Sequence, residues 1–334
     1  MALNNPMKIQ LPLISASLFA ASLFAAVAAA QQQTAVVNGA PVLGYAFDRA
    51  SHSLRPIWGV PGAATVGESL DLGFSVKDAA VSSEQGYALA SDGSTARLIR
   101  WNSSTSALNI PAVGTPTALF LSPHGTAAAV LTEGWIGIIT GIKGASPQVT
   151  GLPLSAQPVA AAVSDDGAYI LTALQDGSLA LLGRDGTQTP LAAPGPVSKV
   201  AFRPGTSDAL AASPDNRVWL IQQTSAAAHF TVIATGADGV SSPVGLGFLP
   251  DGNHAVVANA GTRTVLTADV TTGARASVSC SCTPVQLEGM AIPGMFRLTE
   301  ALREPQYVFN GATGQTFFVP ALPQERKTER RASN

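Results

Sequence analysis

The chain of 334 residues carries 19 basic and 21 acidic side chains, a net charge of −2, and charged residues make up only 12% of it, about half the share usual in soluble domains, ~25%. So weak a charge, with no basic excess, excludes a nucleic-acid binder, which needs a positive face. Hydrophobic residues at 46%, with 32 glycines and 23 prolines, exclude a scaffold of long helices and point to many short strands and turns.

In chain order, the first feature is Lys8 followed by the apolar run Ile9–Ala30, which ends in Ala28-Ala29-Ala30. A positive start, an apolar core and small residues before the cut are the pattern of a secretory signal peptide, assigned to residues 1–30. The alternative is an uncleaved anchor, because the run approaches the ~20 residues that span a bilayer; its Ala- and Ser-rich end favours cleavage. The expectation is therefore an exported protein, periplasmic or extracellular, beginning near Gln31 and without stable membrane insertion. In that compartment two cysteines can pair.

From residue 74 onward a unit recurs. Each begins with a short apolar strand and a glycine turn, at Gly86, Gly125, Gly167, Gly205, Gly252 and Gly294. A second strand such as "YILTAL" follows, then a third such as "SLALLG" or "RVWLIQ", and a fourth such as "HFTVIAT" or "RASVSC". Four strands in ~40 residues is the unit of a β-propeller blade, and a single blade cannot cover both faces of its own sheet. The small-residue runs "VAAAV" and "AAAVL" suit inner strands, where sheets converge on an axis. Upstream, "TAVVNGAPVLGYAFDRASHSLRPIWGV" aligns with the later "HAVVANAGTRTVLTADVTTGARASVS" and supplies strands two to four of one more blade. The predicted fold is thus all-β: a single propeller domain over residues 31–322 with seven four-stranded blades, six being the alternative count if the two ends merge. The segment "YVFNGATGQTFFVPAL" is expected beside the first blade, where it could donate the missing strand.

The turns Ser122-Pro123-His124-Gly125, Ser164-Asp165-Asp166-Gly167 and Leu249-Pro250-Asp251-Gly252, followed by "YILTA", "AVVANA" and "LTADVTTG", resemble those of bacterial YVTN-type seven-bladed propellers within the wider WD40-like group. The resemblance covers nearly all of the mature chain and implies the fold. True WD40 markers, a Trp-Asp or Gly-His pair, are absent from the sequence. "ADVTTG" is also similar to repeats of quinone-dependent dehydrogenase propellers, but Trp58, Trp101, Trp135 and Trp219 do not share one repeat position.

No local motif announces chemistry. His52, His124 and His254 fall in turns, and with His229 they lack zinc-site spacing. Asp165, Asp166 and Asp176 read as turn formers that bond their local backbone rather than as calcium ligands. "SPDNRVW", Ser213–Trp219, is faintly similar to the Asp-box of sialidase propellers but lacks the glycine and occurs once. Arg49, Arg97, Arg203 and Arg263 are scattered, not clustered as a sialidase requires. No catalytic, cofactor or metal residue is assigned, and no cofactor is expected.

Cys280 and Cys282, the only cysteines, end a fourth strand just before Pro284. By resemblance to other propellers, that connection lies on the face most used for ligands. Residues two apart on a flat strand are separated by about 6.6–6.8 Å, the upper edge for a disulfide, so a local bridge demands a bend. Two free thiols are the alternative; the spacing suits neither a Cys-x-x-Cys motif nor a zinc site. The tail, residues 323–334, carries Arg326, Lys327, Arg330 and Arg331 against Glu325 and Glu329 and is expected to be a disordered, solvated end. The functional expectation is an exported, monomeric, non-catalytic propeller that binds an unknown protein or glycan partner. The alternative is a lactonase-like hydrolase with acidic or histidine residues converging on the axis.

Overall fold

A computed structural model describes residues 41–322 except 83, 102–104 and 112–113. The expected signal peptide and charged tail lie outside the described residues, as do residues 31–40. The chain divides after Ala40 into two compact units, and everything below concerns the second.

Seven antiparallel sheets form a ring, a seven-bladed β-propeller. Blade 1 holds β1 (Val42–Asp48), β2 (Ser53–Val60) and β3 (Ala63–Val66). Blade 2 holds β4 (Asp78–Ser82), β5 (Tyr87–Ser91), β6 (Ala96–Trp101) and β7 (Thr105–Ile110); blade 3 holds β8 (Ala118–Leu121), β9 (Ala128–Thr132), β10 (Trp135–Thr140) and β11 (Gln148–Pro153). Blade 4 holds β12 (Pro158–Val163), β13 (Tyr169–Leu174), β14 (Leu179–Gly183) and β15 (Gln188–Leu191); blade 5 holds β16 (Lys199–Phe202), β17 (Ala209–Ala212), β18 (Val218–Gln222) and β19 (His229–Ala234). Blade 6 holds β20 (Pro243–Phe248), β21 (His254–Asn259), β22 (Thr264–Asp269) and β23 (Arg275–Ser279); blade 7 holds β24 (Glu288–Gly289), β25 (Met295–Arg297), β26 (Gln306–Asn310) and β27 (Gln315–Val319). Among the described residues no helix is long and apolar enough to cross a membrane.

Burial explains the composition strand by strand. First strands such as β8 are half-buried along their length because they line the axial channel, whereas β5, β9 and β17 are buried at every residue. Each second strand lies between two neighbouring sheets, so both its faces must be apolar, as expected for a doubly covered sheet. Fourth strands such as β15 are exposed. The core is correspondingly divided into interblade clusters: Leu171, Leu181, Phe202 and Trp219 between blades 4 and 5, and Leu210, Leu220, Phe248 and Val257 between blades 5 and 6. Each fully buried Leu or Phe contributes roughly 1.5–3 kcal/mol. "VAAAV" is the channel-lining β12, but "AAAVL" falls in the second strand β9, where small side chains answer the crowding between sheets rather than at the axis.

All six turn glycines have φ between +62° and +78°, a region that costs other residues ~1–2 kcal/mol. At Gly167 space matters too, since a Cβ there would lie 2.5 Å from Thr140 Cγ2 of the preceding blade.

Blade 1 departs from the alignment by one strand. The segment aligned as its second strand lies outside the described residues, and Val42–Asp48, aligned as the third, packs against β4 as other second strands pack against the next blade. The short "AATV" of β3, too brief to read as a strand, completes the outer edge. Nor does the last segment donate a strand: it forms β26 and β27 of blade 7, and the ring closes by packing. Leu43, Ala46 and Ile57 of blade 1 share a core with Met290, Met295, Val308 and Val319 of blade 7, and Ala291 N–H donates to Leu43 O at 3.0 Å.

Candidate functional site

Antiparallel order places two kinds of loop at opposite ends of the ring. The turn end carries the hairpins between strands one and two and between three and four. The connection end carries the loops between strands two and three and the links from blade to blade.

At the turn end the first hairpins are tied to one another. Asp165 accepts from His124 N at 2.8 Å and from Gly205 N at 2.8 Å, and its carboxylate lies 2.9 Å from His124 Nδ1, so one side chain joins blades 3, 4 and 5. This corrects the reading of Asp165 as a local turn former; its partners are about 40 residues away in sequence and left no local trace. Asp166 and Asp176 do behave locally, accepting from Ala168 N and Ser178 N. Tyr87 extends the same stitching, its hydroxyl donating to Gly125 O at 2.9 Å, and burial pushes its phenol well above the ordinary tyrosine range.

The remaining sequence candidates do not converge. His52 Nδ1 lies 3.2 Å from Val76 O, His254 pairs with Asp251, and His229 begins the exposed β19. Arg97 binds Asp92 at 2.7 Å and stacks 4.3 Å over Phe74, whereas Arg203 binds Asp208 at 3.2 Å and Asn253 at 2.8 Å. Arg263 donates to Thr283 Oγ1 at 3.2 Å. All four tryptophans sit on third strands, yet at different places along them: Trp135 and Trp219 near the start, Trp58 and Trp101 near the end.

The axial channel encloses about 420 Å³ and is walled by Ala161, Ala162, Val200, Leu119 and Phe120, with Glu84 and Glu288 as its acidic side chains. Glu288 is engaged: its Oε2 accepts from Arg297 Nε at 2.8 Å, from Arg297 Nη2 and from Gln286 Nε2 at 3.4 Å. Among the described residues no group of three His, Cys, Asp or Glu could hold a metal ion.

The connection end of blade 7 is built differently from the rest. Its loop between strands two and three, Leu298–Pro305, spans eight residues where the other blades use two to five. Irregular backbone of this length must satisfy its carbonyls, and two buried side chains do so. Arg297, 3% exposed, donates to Thr299 O at 3.0 Å and Glu300 O at 3.4 Å; Gln306, 0% exposed, donates to Ala301 O at 2.6 Å and Glu304 O at 3.0 Å. Arg297 also reaches Gln306 Oε1 at 3.1 Å, so the two anchors brace each other.

This loop walls a hollow of about 340 Å³ whose other sides include Asp48, Arg49, Thr283 and Val285. Arg49 closes one edge by pairing with Glu300 and lying 3.9 Å from Asp78 at the start of β4. Burial pushes the Asp78 carboxyl above the ordinary range, against the pull of Arg49, while Glu300 raises Arg49 further. Asp48 is held below that range: burial works upward, but donors from Ser51, Ala50 and Arg55 outweigh it. Neither the loop nor its anchors carries any pattern visible in sequence; only the lengthened spacing after Arg297 marked them.

The cysteines belong to this region. Cys280 and Cys282 form a disulfide with Cα atoms 5.0 Å apart, just past β23, where the chain bends. Both are 6% exposed and pack with Val256, Val265, Leu298 and Phe309. The link they shape then delivers Thr283 and Val285 to the hollow.

The fold has known counterparts. A functionally unknown protein from Desulfotomaculum acetoxidans DSM 771 is similar with a TM-score of 0.58 and 14% identity, covering 84% of this chain and 100% of its own. Apo AztD from Citrobacter koseri is similar with a TM-score of 0.53 and 12% identity, over 84% of this chain and 94% of that one. These are propeller-like proteins, and at such identities they share the architecture alone. No family model matches the sequence, and no curated protein does.

Proposed function

We propose that this chain is an exported, non-catalytic propeller of the YVTN type that binds a protein or glycan partner through its connection end, as a monomer. The observation that supports it is the Leu298–Pro305 loop. Arg297 and Gln306 spend four hydrogen bonds on fixing the backbone of an exposed loop beside a 340 Å³ hollow. A recognition surface fixed before binding loses less ordering entropy when a partner arrives. Polar side chains of blade 7 thus hold shape, and one of the two acids of the channel wall, Glu288, holds the anchor Arg297.

The decisive experiment is an activity panel on the purified mature protein with lactones, glycosides and quinone-linked alcohols. Zero turnover is the expected outcome; turnover of any of these would refute the reading, and its loss in Glu288→Gln or Glu84→Gln would place that chemistry in the channel. For export, intact mass of protein recovered from the periplasm or medium should correspond to a chain starting near Gln31. A product that retains Lys8 would overturn that part.

A further inference from the structure

A second cleft lies at the turn end, far from the blade 7 loop in the order of blades. It is a hollow of about 450 Å³ lined by Tyr169, Arg184, Asp185, Thr187, Thr189 and Ser225, between blades 4 and 5. Unlike the interblade cores above it, its walls are polar: a half-buried phenol ring, three hydroxyls, one guanidinium and one carboxylate.

Two features show how its charge and shape are set. The first is that the acid of the cleft, though ionised, has one oxygen engaged within its own turn. Asp185 Oδ1 accepts from Thr187 N at 3.0 Å and from Thr187 Oγ1 at 2.7 Å, and these two bonds, the hydroxyl's first, hold its carboxyl below the ordinary range. Arg184, the first residue of the same turn, uses its backbone N–H on Ala168 O at 2.8 Å; its guanidinium makes no hydrogen bond or ion pair among the described residues, and its charge also acts on the Asp166 carboxylate. The cleft therefore offers five free N–H donors of a cation.

The second is the turn that carries Ser225 to the rim. Gln223 holds φ at +53°, a left-handed conformation that costs a residue with a Cβ about 1–2 kcal/mol. It is kept there by its N–H donating to Asp208 Oδ1 at 3.1 Å and by Thr224, 1% exposed, donating its hydroxyl to Ser207 O. Those bonds tie the turn to the first hairpin of its own blade and not to blade 4, which leaves the cleft open with Ser225 on its rim.

We infer that this cleft binds an acidic saccharide, with the sugar ring against Tyr169, its hydroxyls among Thr187, Thr189 and Ser225, and its carboxylate on Arg184. A carboxylate suits the planar fork of a guanidinium, and a ring with hydroxyls on its rim suits a phenol flanked by hydroxyls. The site is separate from the blade 7 hollow, so it stands or falls independently of the function proposed above.

The test is ligand-observed NMR and calorimetry on the full mature chain with trigalacturonate and, as the neutral counterpart, galactotriose. Trigalacturonate should bind at least tenfold more tightly than galactotriose, and Arg184→Ala should remove that preference. Thr189→Ala should weaken both sugars several-fold. Arg217→Ala, on the other end of the ring and outside both hollows, should change neither. Arg184, Thr189 and Arg217 are exposed, so unchanged melting temperatures keep the comparison clean. No saturation transfer to either sugar, equal binding of the two, or binding of trigalacturonate untouched by Arg184→Ala would each overturn the inference.

Discussion

Blades 3 to 6 and blade 7 reach the same architecture by different means. The former rest on buried second strands: β9, β13, β17 and β21 each hold four or five buried residues and are joined to neighbours by repeated glycine turns. In blade 7 the first strand has two residues and the second three, and cohesion shifts to Arg297, Glu288, Gln286 and Gln306. Repetition supplies a surplus of apolar contact, and one blade can then exchange part of it for a polar network that shapes a loop.

The contrast can be broken at its strongest point first. Arg297→Ala strands Glu288 and the loop carbonyls, and should cost about 3–5 kcal/mol in urea unfolding, the range for removing one partner of a buried pair. Arg297→Met combined with Glu288→Leu should recover most of that loss while the Leu298–Pro305 backbone becomes more exchangeable with deuterium. A double variant as unstable as the single one would show that blade 7 does not stand on this pair. Next, Gly167→Ala should cost about 3 kcal/mol, because the Thr140 contact adds to the backbone penalty. Gly273→Ala, at φ +75° with open space around it, should cost only the conformational ~1–2 kcal/mol; equal losses would deny that neighbouring blades press on the first turns.

Asp165→Asn should cost about 2 kcal/mol, within the range for hydrogen bonds to a charged group, and Asp176→Asn far less, since Asp176 serves only its own turn. Equal effects would mean that the stitching between blades is idle. Replacing both Cys280 and Cys282 by Ser should cost about 1.6 kcal/mol on loop entropy plus the desolvation of any hydroxyl left unpartnered among Val256, Val265 and Phe309, with mass spectrometry of the parent showing a two-hydrogen deficit and no alkylation. The smallest effect is the acid response of the outer turns. Donors from Thr272 and Thr271 bring Asp269 down to about 2. With the unfolded value near 3.9, its contribution is complete above about pH 4 and fades as pH falls towards 2. Asp78 runs the other way: its folded value is raised by burial, so the cost of keeping it charged is relieved as the medium is acidified. Asp269→Asn should flatten the acid limb slightly and Asp78→Asn should lift stability at neutral pH; a measured limb insensitive to both would contradict these directions.

What could be read in sequence follows the physics of locality. The glycine turns declared themselves because positive φ selects glycine; counting them gives six blades, and the alignment of the segment before them adds the seventh. Blade 1 was offset by one strand because "TAVVN" copies the pattern of β21 while β3 is only four residues long. Asp165 looked like any turn aspartate, since its role depends on His124 and Gly205 in other blades. Arg297 and Gln306 were invisible for the opposite reason: a polar residue in a short strand has no periodicity to betray it. The four tryptophans were judged not to share one repeat position, and the structure bears that out along the strand while placing all four on third strands.

The hollow of blade 7 is assembled from three separate pieces of chain, Asp48–Ala50, Thr283–Val285 and Thr299–Glu304, all at the connection end and none of them holding a turn glycine. For evolution or an engineer this divides the molecule into a chassis and a socket. Substitutions at Val285, Ala301 or Arg303 can retune what the socket accepts one wall at a time, and the ring that carries it has no part in the change.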